Sequence, residues 1–66
     1  YQHAVADYNK AIELDPNLAE AYFNRGLALV RMKKAQEGIA DLSKAGELGI
    51  YKAYSVIKTV QAESAK

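Results

Sequence analysis

The sequence contains an internal repeat with a period of 34 residues. Residues 4–14 align with residues 38–48, and six of the eleven pairs are identical: Ala6/Ala40, Asp7/Asp41, Lys10/Lys44, Ala11/Ala45, Glu13/Glu47 and Leu14/Leu48. Two further pairs, Val5/Ile39 and Tyr8/Leu42, keep an apolar side chain. The agreement extends over polar and apolar positions, so chance does not explain it. A fixed period of this length is typical of repeat architectures.

Each copy has the apolar periodicity of an α-helix. In the first copy the apolar residues recur at steps of three and four: Ala4, Val5, Tyr8, Ala11 and Ile12. Asp15-Pro16 ends this helix, because the residue before a proline is pushed out of the α region. The same reasoning predicts helices over about 18–32, 35–48 and 52–62, with 63–66 frayed. The expected fold is all-α, with antiparallel helix-turn-helix units and about four helices.

Glycines interrupt two of these helices and end one of them. Gly26, Gly38 and Gly46 lie inside helical patterns, where each costs about 1 kcal/mol relative to alanine. We therefore expect neighbouring helices to approach closely at these positions. Gly49 follows the third helix and is the expected residue for a left-handed C-terminal cap.

Length and charge exclude several classes of protein. A chain of 66 residues has room for one small domain, and nine Lys and Arg against eight Asp and Glu give a net charge of +1. That balance is far from the basic footprint of a nucleic-acid domain, and no apolar run is long enough for a membrane span. We expect a soluble chain, cytoplasmic by default, with its compartment otherwise open. Because it starts at Tyr1 and not at methionine, we expect a piece of a longer protein.

The sequence offers little catalytic chemistry. There is no cysteine and a single histidine, His3, with no second histidine at i+4 to share a metal. Asp7 and Asp41 each have a lysine three residues on, so we expect outward-facing carboxylates in surface ion pairs and not a catalytic pair. We expect no enzyme activity, no metal and no cofactor.

Basic and aromatic groups have both a structural and a functional interpretation. The basic group Arg31, Lys33 and Lys34 suits the negative end of a helix dipole, although it could also contact an acidic partner or RNA. The aromatic set could stack on bases but is expected to lie mostly in the core: Tyr8, Tyr22, Phe23, Tyr51 and Tyr54. An RNA-binding repeat would lose affinity steeply with salt.

These features resemble the tetratricopeptide repeat (TPR), whose unit of about 34 residues is a helix, a turn and a second helix. The family motif W-x2-L-G-x2-Y is matched by Tyr22-x2-Arg25-Gly26-x2-Leu29. The motif A-x3-F is matched by Ala4-x3-Tyr8 and, with glycine for alanine, by Gly38-x3-Leu42. Pro16 stands at the family's proline.

The sequence departs from the pattern at Arg25, which replaces a leucine, at Gly38, which replaces an alanine, and at Ile50, which replaces the proline of the second unit. The second unit therefore ends differently, as at the C-terminal end of an array. The resemblance implies that 1–17 is the second helix of a truncated repeat, 18–50 a complete repeat and 51–66 a capping helix with a frayed tail.

The resemblance also implies a function, a non-catalytic scaffold for protein–protein interaction. In such repeats the first helix of each unit lines a concave groove that holds a peptide or a partner helix. Transferred position by position, the groove residues are Glu20, Phe23, Asn24, Leu27, Val30 and Arg31, with Tyr54 and Lys58 as extensions. Phe23 and Leu27 have an alternative role in packing, and Asn24 and Arg31 in simple solvation. A clamp for a C-terminal carboxylate is disfavoured, since only Asn24 matches it.

A second hypothesis is self-association. The first helix lacks the helix that would precede it in a full repeat, so a second chain could cover Val5, Tyr8 and Ile12. About three repeats are usually needed for a stable stack, which makes pairing physically attractive. The expected partners are thus a protein or peptide of unknown identity and a possible second copy, with no nucleic acid and no membrane.

Overall fold

A computed structural model describes residues 2–64, and within that range it contains four α-helices and no strand. The helices are α1 (Gln2–Leu14), α2 (Ala19–Arg31), α3 (Ala35–Glu47) and α4 (Lys52–Ser64). Short turns join them, so consecutive helices run antiparallel. α2 packs against both α1 and α3, and α4 packs against α3. The all-α class is confirmed.

The helix boundaries agree with the predicted ones to within two residues. Pro16 lies in the first turn, where the Tyr22 hydroxyl donates a hydrogen bond to its carbonyl oxygen at 2.9 Å. Glu63 and Ser64 belong to α4, although they were predicted to fray. The remainder of the predicted frayed tail, residues 65 and 66, lies outside the described residues.

α2 and α3 end in the same hydrogen-bonded motif with different residues at its critical position. In α3 the Ile50 N–H donates to Ala45 O and the Gly49 N–H to Gly46 O, which is a Schellman cap with Gly49 at φ 115°. The predicted glycine cap is therefore confirmed. In α2 the equivalent left-handed residue is Lys33, at φ 65°. The amino-acid sequence does not predict this conformation at Lys33, because lysine is not selected for positive φ.

α2 and α3 approach each other through a pair of glycines. A Cβ placed on Gly26 would lie 2.9 Å from Gly38 O, and a Cβ on Gly38 would lie 2.7 Å from Gly26 O. Neither position can hold a side chain without moving the backbone of the other helix. The predicted close approach is confirmed for this pair.

The core lies where α2, α3 and α4 meet. Leu42, Ala45 and Ala53 are completely buried. Partly buried side chains from the same three helices and the last turn surround them: Tyr22, Phe23, Leu27, Val30, Ile50, Val56 and Ile57. α1 contributes no buried residue. Among the described residues the core is therefore formed by α2, α3 and α4.

Candidate functional site

Arg25 joins three helices through its guanidinium group. Its Nε and Nη2 donate to the two carboxylate oxygens of Asp41 on α3, at 2.6 and 2.7 Å, and its Nη1 donates to Asn9 Oδ1 on α1 at 2.8 Å. Its Cζ also lies 5.6 Å from the centre of the Tyr22 ring. The hydrogen bond to Asp41 raises the pKa of Arg25 in spite of the opposing effect of burial. This arrangement fixes α1, α2 and α3 relative to one another.

The prediction that Asp41 faces outward in a surface ion pair with Lys44 is wrong. Only 8% of Asp41 is exposed, and its carboxylate is held bidentately by Arg25. An arginine sixteen residues upstream thus decides the environment of this carboxylate. Asp7, at the matching position of α1, is exposed as predicted.

The predicted groove residues of α2 fall into two groups. Glu20, Asn24 and Arg31 are exposed, and they lie on one stripe of the helix with Leu27 between them. Phe23, Leu27 and Val30 are half-buried and pack against the core formed by α3 and α4. The exposed stripe is therefore polar, with the half-buried Leu27 as its apolar contact.

The two predicted extensions on α4 lie in different surroundings. The ring of Tyr54 covers Gly46 on α3, where a Cβ would lie 2.5 Å from the Tyr54 Cζ atom. Lys58, one turn further along, is exposed. Lys52, at the start of α4, has its Nζ 5.1 Å from the centre of the Phe23 ring on α2. The prediction of groove residues missed Lys52. The 34-residue period places Lys52 two positions before the counterpart of Glu20, the first predicted groove residue.

Two aromatic residues do not fit the expectation of a mostly buried set. Tyr51 is 75% exposed and Tyr54 48% exposed, whereas Tyr8, Tyr22 and Phe23 are half-buried. Tyr51 lies in the turn before α4.

The candidate self-association residues Val5, Tyr8 and Ile12 are all half-buried. Val5 borders an open cleft of about 450 Å³ between the first three helices, together with Asn9, Arg25 and Leu29. Val5 therefore already has neighbours within the chain.

Within residues 2–64, no group of three or more His, Cys, Asp or Glu side chains is placed to hold a metal ion. His3 is exposed near the start of α1. None of the helices in the described part of the chain has both the length and the apolar character needed to cross a membrane.

The α-helical hairpins, the glycine contact and the 34-residue period define a helical repeat protein. Family models described as "TPR repeat" and "Tetratricopeptide repeat" match residues 1–33 and 19–48. The chain belongs to the tetratricopeptide repeat family, whose members are in general non-catalytic modules that mediate protein–protein interactions.

A curated relative matches part of the chain. It is the "Protein SGT1 homolog" of Oryza sativa subsp. japonica, which is 50% identical over 42 residues. The aligned part covers 64% of this chain and 11% of the rice protein. The chain thus corresponds to a small fraction of that relative. No solved structure matches the sequence significantly.

Proposed function

We propose that this chain binds an extended peptide or a partner helix along the exposed stripe of α2 formed by Glu20, Asn24, Leu27 and Arg31. The observation that supports this proposal is the spacing of that stripe, three and four residues, with exposed polar groups on either side of a half-buried leucine. Asn24 can both donate to and accept from a peptide backbone, and Leu27 offers an apolar contact.

The side chains next to the stripe suit this role because they are packed against neighbouring helices. Phe23 and Val30 pack against the core of α3 and α4, and Lys52 lies over the Phe23 ring. A surface built on a packed helix loses little conformational freedom when a ligand binds. Phe23 and Leu27 are unsuitable as first test positions, because their truncation would also remove core packing.

The test uses peptides selected from a phage-displayed random library against the 66-residue chain. We expect Asn24→Ala or Arg31→Ala to weaken the selected peptides about tenfold, as for residues at the centre of an interface. Lys44→Ala on α3 is the matched control, since it removes an equally exposed side chain from another surface. Peptides that bind all of these variants equally well would show that the stripe is not the binding surface.

Self-association remains a second prediction, because the structure leaves Val5, Tyr8 and Ile12 half-buried. Sedimentation of Tyr8→Lys beside the unaltered chain tests it. A dimer that disappears in the variant supports self-association, and a monomer at all concentrations contradicts it.

A further inference from the structure

The exposed stripe of α2 carries opposite charges at its two ends. Glu20 lies in the first turn of the helix and Arg31 in its last turn, and both side chains are exposed. Within residues 2–64 the ion pair that the structure contains joins Arg25 and Asp41, so neither Glu20 nor Arg31 has an ionic partner there. A ligand on the stripe therefore meets an unpaired carboxylate at one end and an unpaired guanidinium group at the other.

The distance between these two charges suits a short segment of extended chain. Arg31 follows Glu20 by eleven residues, which corresponds to roughly 16 Å along the helix axis. Four or six residue steps of an extended chain cover about 13 or 20 Å, and an even number of steps places both end side chains on the same side. A few residues of extended chain are thus enough to bring one side chain to each charge.

Asn24, between the two charges, favours an extended segment over a helix. Its amide is exposed and can donate to a backbone carbonyl and accept from a backbone N–H. The backbone groups inside a helix are already bonded to one another, whereas those of an extended segment are free. Leu27, the next residue of the stripe, suits an apolar side chain of the same segment.

We infer, on the basis of the function proposed above, that the stripe binds an extended segment with a basic side chain at Glu20, an acidic side chain at Arg31 and apolar side chains between them. Both ends of such a segment are attracted, whereas a segment with two like charges is attracted at one end and repelled at the other. The pattern does not fix the chain direction, since a segment with the reverse order of charges can lie the other way round. Charge complementarity at both ends therefore selects the partner.

The test uses the peptide Lys-Ser-Val-Ser-Val-Ser-Glu, acetylated and amidated so that its termini carry no charge. It is titrated into the isotope-labelled 66-residue chain and followed by nuclear magnetic resonance. In about 10 mM salt the Debye length is about 30 Å, so the charges are little screened. We expect saturable shifts of α2 amides, and binding about fivefold weaker for Glu20→Lys or Arg31→Glu. The variant with both changes should regain binding to within about twofold, because the peptide then binds in the opposite direction.

Two control peptides carry lysine at both ends or glutamate at both ends, and each should bind the unaltered chain about fivefold more weakly. Glu37→Lys and Lys44→Glu are the matched control variants. Glu37 lies in the first turn of α3 and Lys44 in its last turn, so their reversal has the same effect on a helix dipole without changing the stripe. Neither variant should alter the affinity by more than about twofold.

Equal affinity for all three peptides would overturn the inference, as would single variants that bind like the unaltered chain. Shifts that do not saturate, or that lie outside α2, would also overturn it. The library-selected peptides separate this failure from that of the proposed function. Selected peptides weakened by Asn24→Ala but not by Glu20→Lys would show that the stripe binds peptides without using its end charges. Selected peptides indifferent to every variant of the stripe would contradict both proposals.

Discussion

Arg25 stands where the TPR motif has a leucine, so its effect on stability can be compared with that of the apolar residue. Arg25→Leu leaves the buried Asp41 carboxylate without its two N–H donors. We expect this variant to lose about 1.5–3 kcal/mol of unfolding free energy, the usual range for hydrogen bonds to charged groups. Arg25→Leu combined with Asp41→Leu should lose less, because no buried charge remains. Urea denaturation followed by circular dichroism measures both.

A control and a pH series accompany that prediction. Lys44→Leu changes an exposed charge near Asp41 and should alter stability by less than about 0.5 kcal/mol. The pKa of Arg25 is raised by its hydrogen bond to Asp41. The contribution of the charged Arg25 to the unfolding free energy is therefore fully present up to the ordinary arginine pKa, and it is lost only at higher pH. The loss in Arg25→Leu should therefore be the same at pH 7 and at about pH 9. A double variant that loses the sum of what Arg25→Leu and Asp41→Leu lose separately would show that the two residues are not coupled.

The close contact between helices α2 and α3 can be tested by a substitution at Gly38. Alanine is the usual TPR residue here and is favoured over glycine in a helix by about 1 kcal/mol. The new methyl group, however, would lie 2.7 Å from Gly26 O and 2.6 Å from Val30 Cγ2. We expect the steric cost to exceed the helical gain, so Gly38→Ala should lower the unfolding free energy by about 1–2 kcal/mol.

Gly46→Ala is the matched control for the packing of helices. Its methyl group would meet the ring end of Tyr54, which is 48% exposed and can rotate into solvent. This variant should be neutral or stabilised by up to about 1 kcal/mol, because the helical preference for alanine remains. If Gly38→Ala is stabilised as well, α2 and α3 are not in the close contact that the structure places there.

The sequence predicted the individual helices better than the contacts between them. Periodicity, Pro16 and Gly49 are properties of one element, so its boundaries and its buried side could be read locally. The environment of Asp41 depends on an arginine of another helix, and the lysine three residues away suggested the wrong partner. The position of Tyr54 likewise depends on the space beside Gly46. The glycine predicted a close approach at this point, but the sequence did not predict which side chain would make it.

At the scale of the whole molecule, the unequal burial of the helices predicts unequal stability. Repeat proteins are stabilised by contacts between neighbouring helices, so each part can open with its own free energy. α3 has five buried residues and α1 has none, and within residues 2–64 the main packing of α1 is against α2. We expect the amides of α1 to exchange with deuterium through openings of lower free energy than those of α2 and α3.

Native-state hydrogen exchange measured residue by residue tests this prediction. Val60, buried on α4, offers a matched change, because Val60→Ala should lower protection in α4 first. The α1 amides should keep their already low protection in that variant, since the two helices share no interface in the described part of the chain. Equal opening free energies in all four helices would contradict the prediction, because they would mean that the chain unfolds as one cooperative unit.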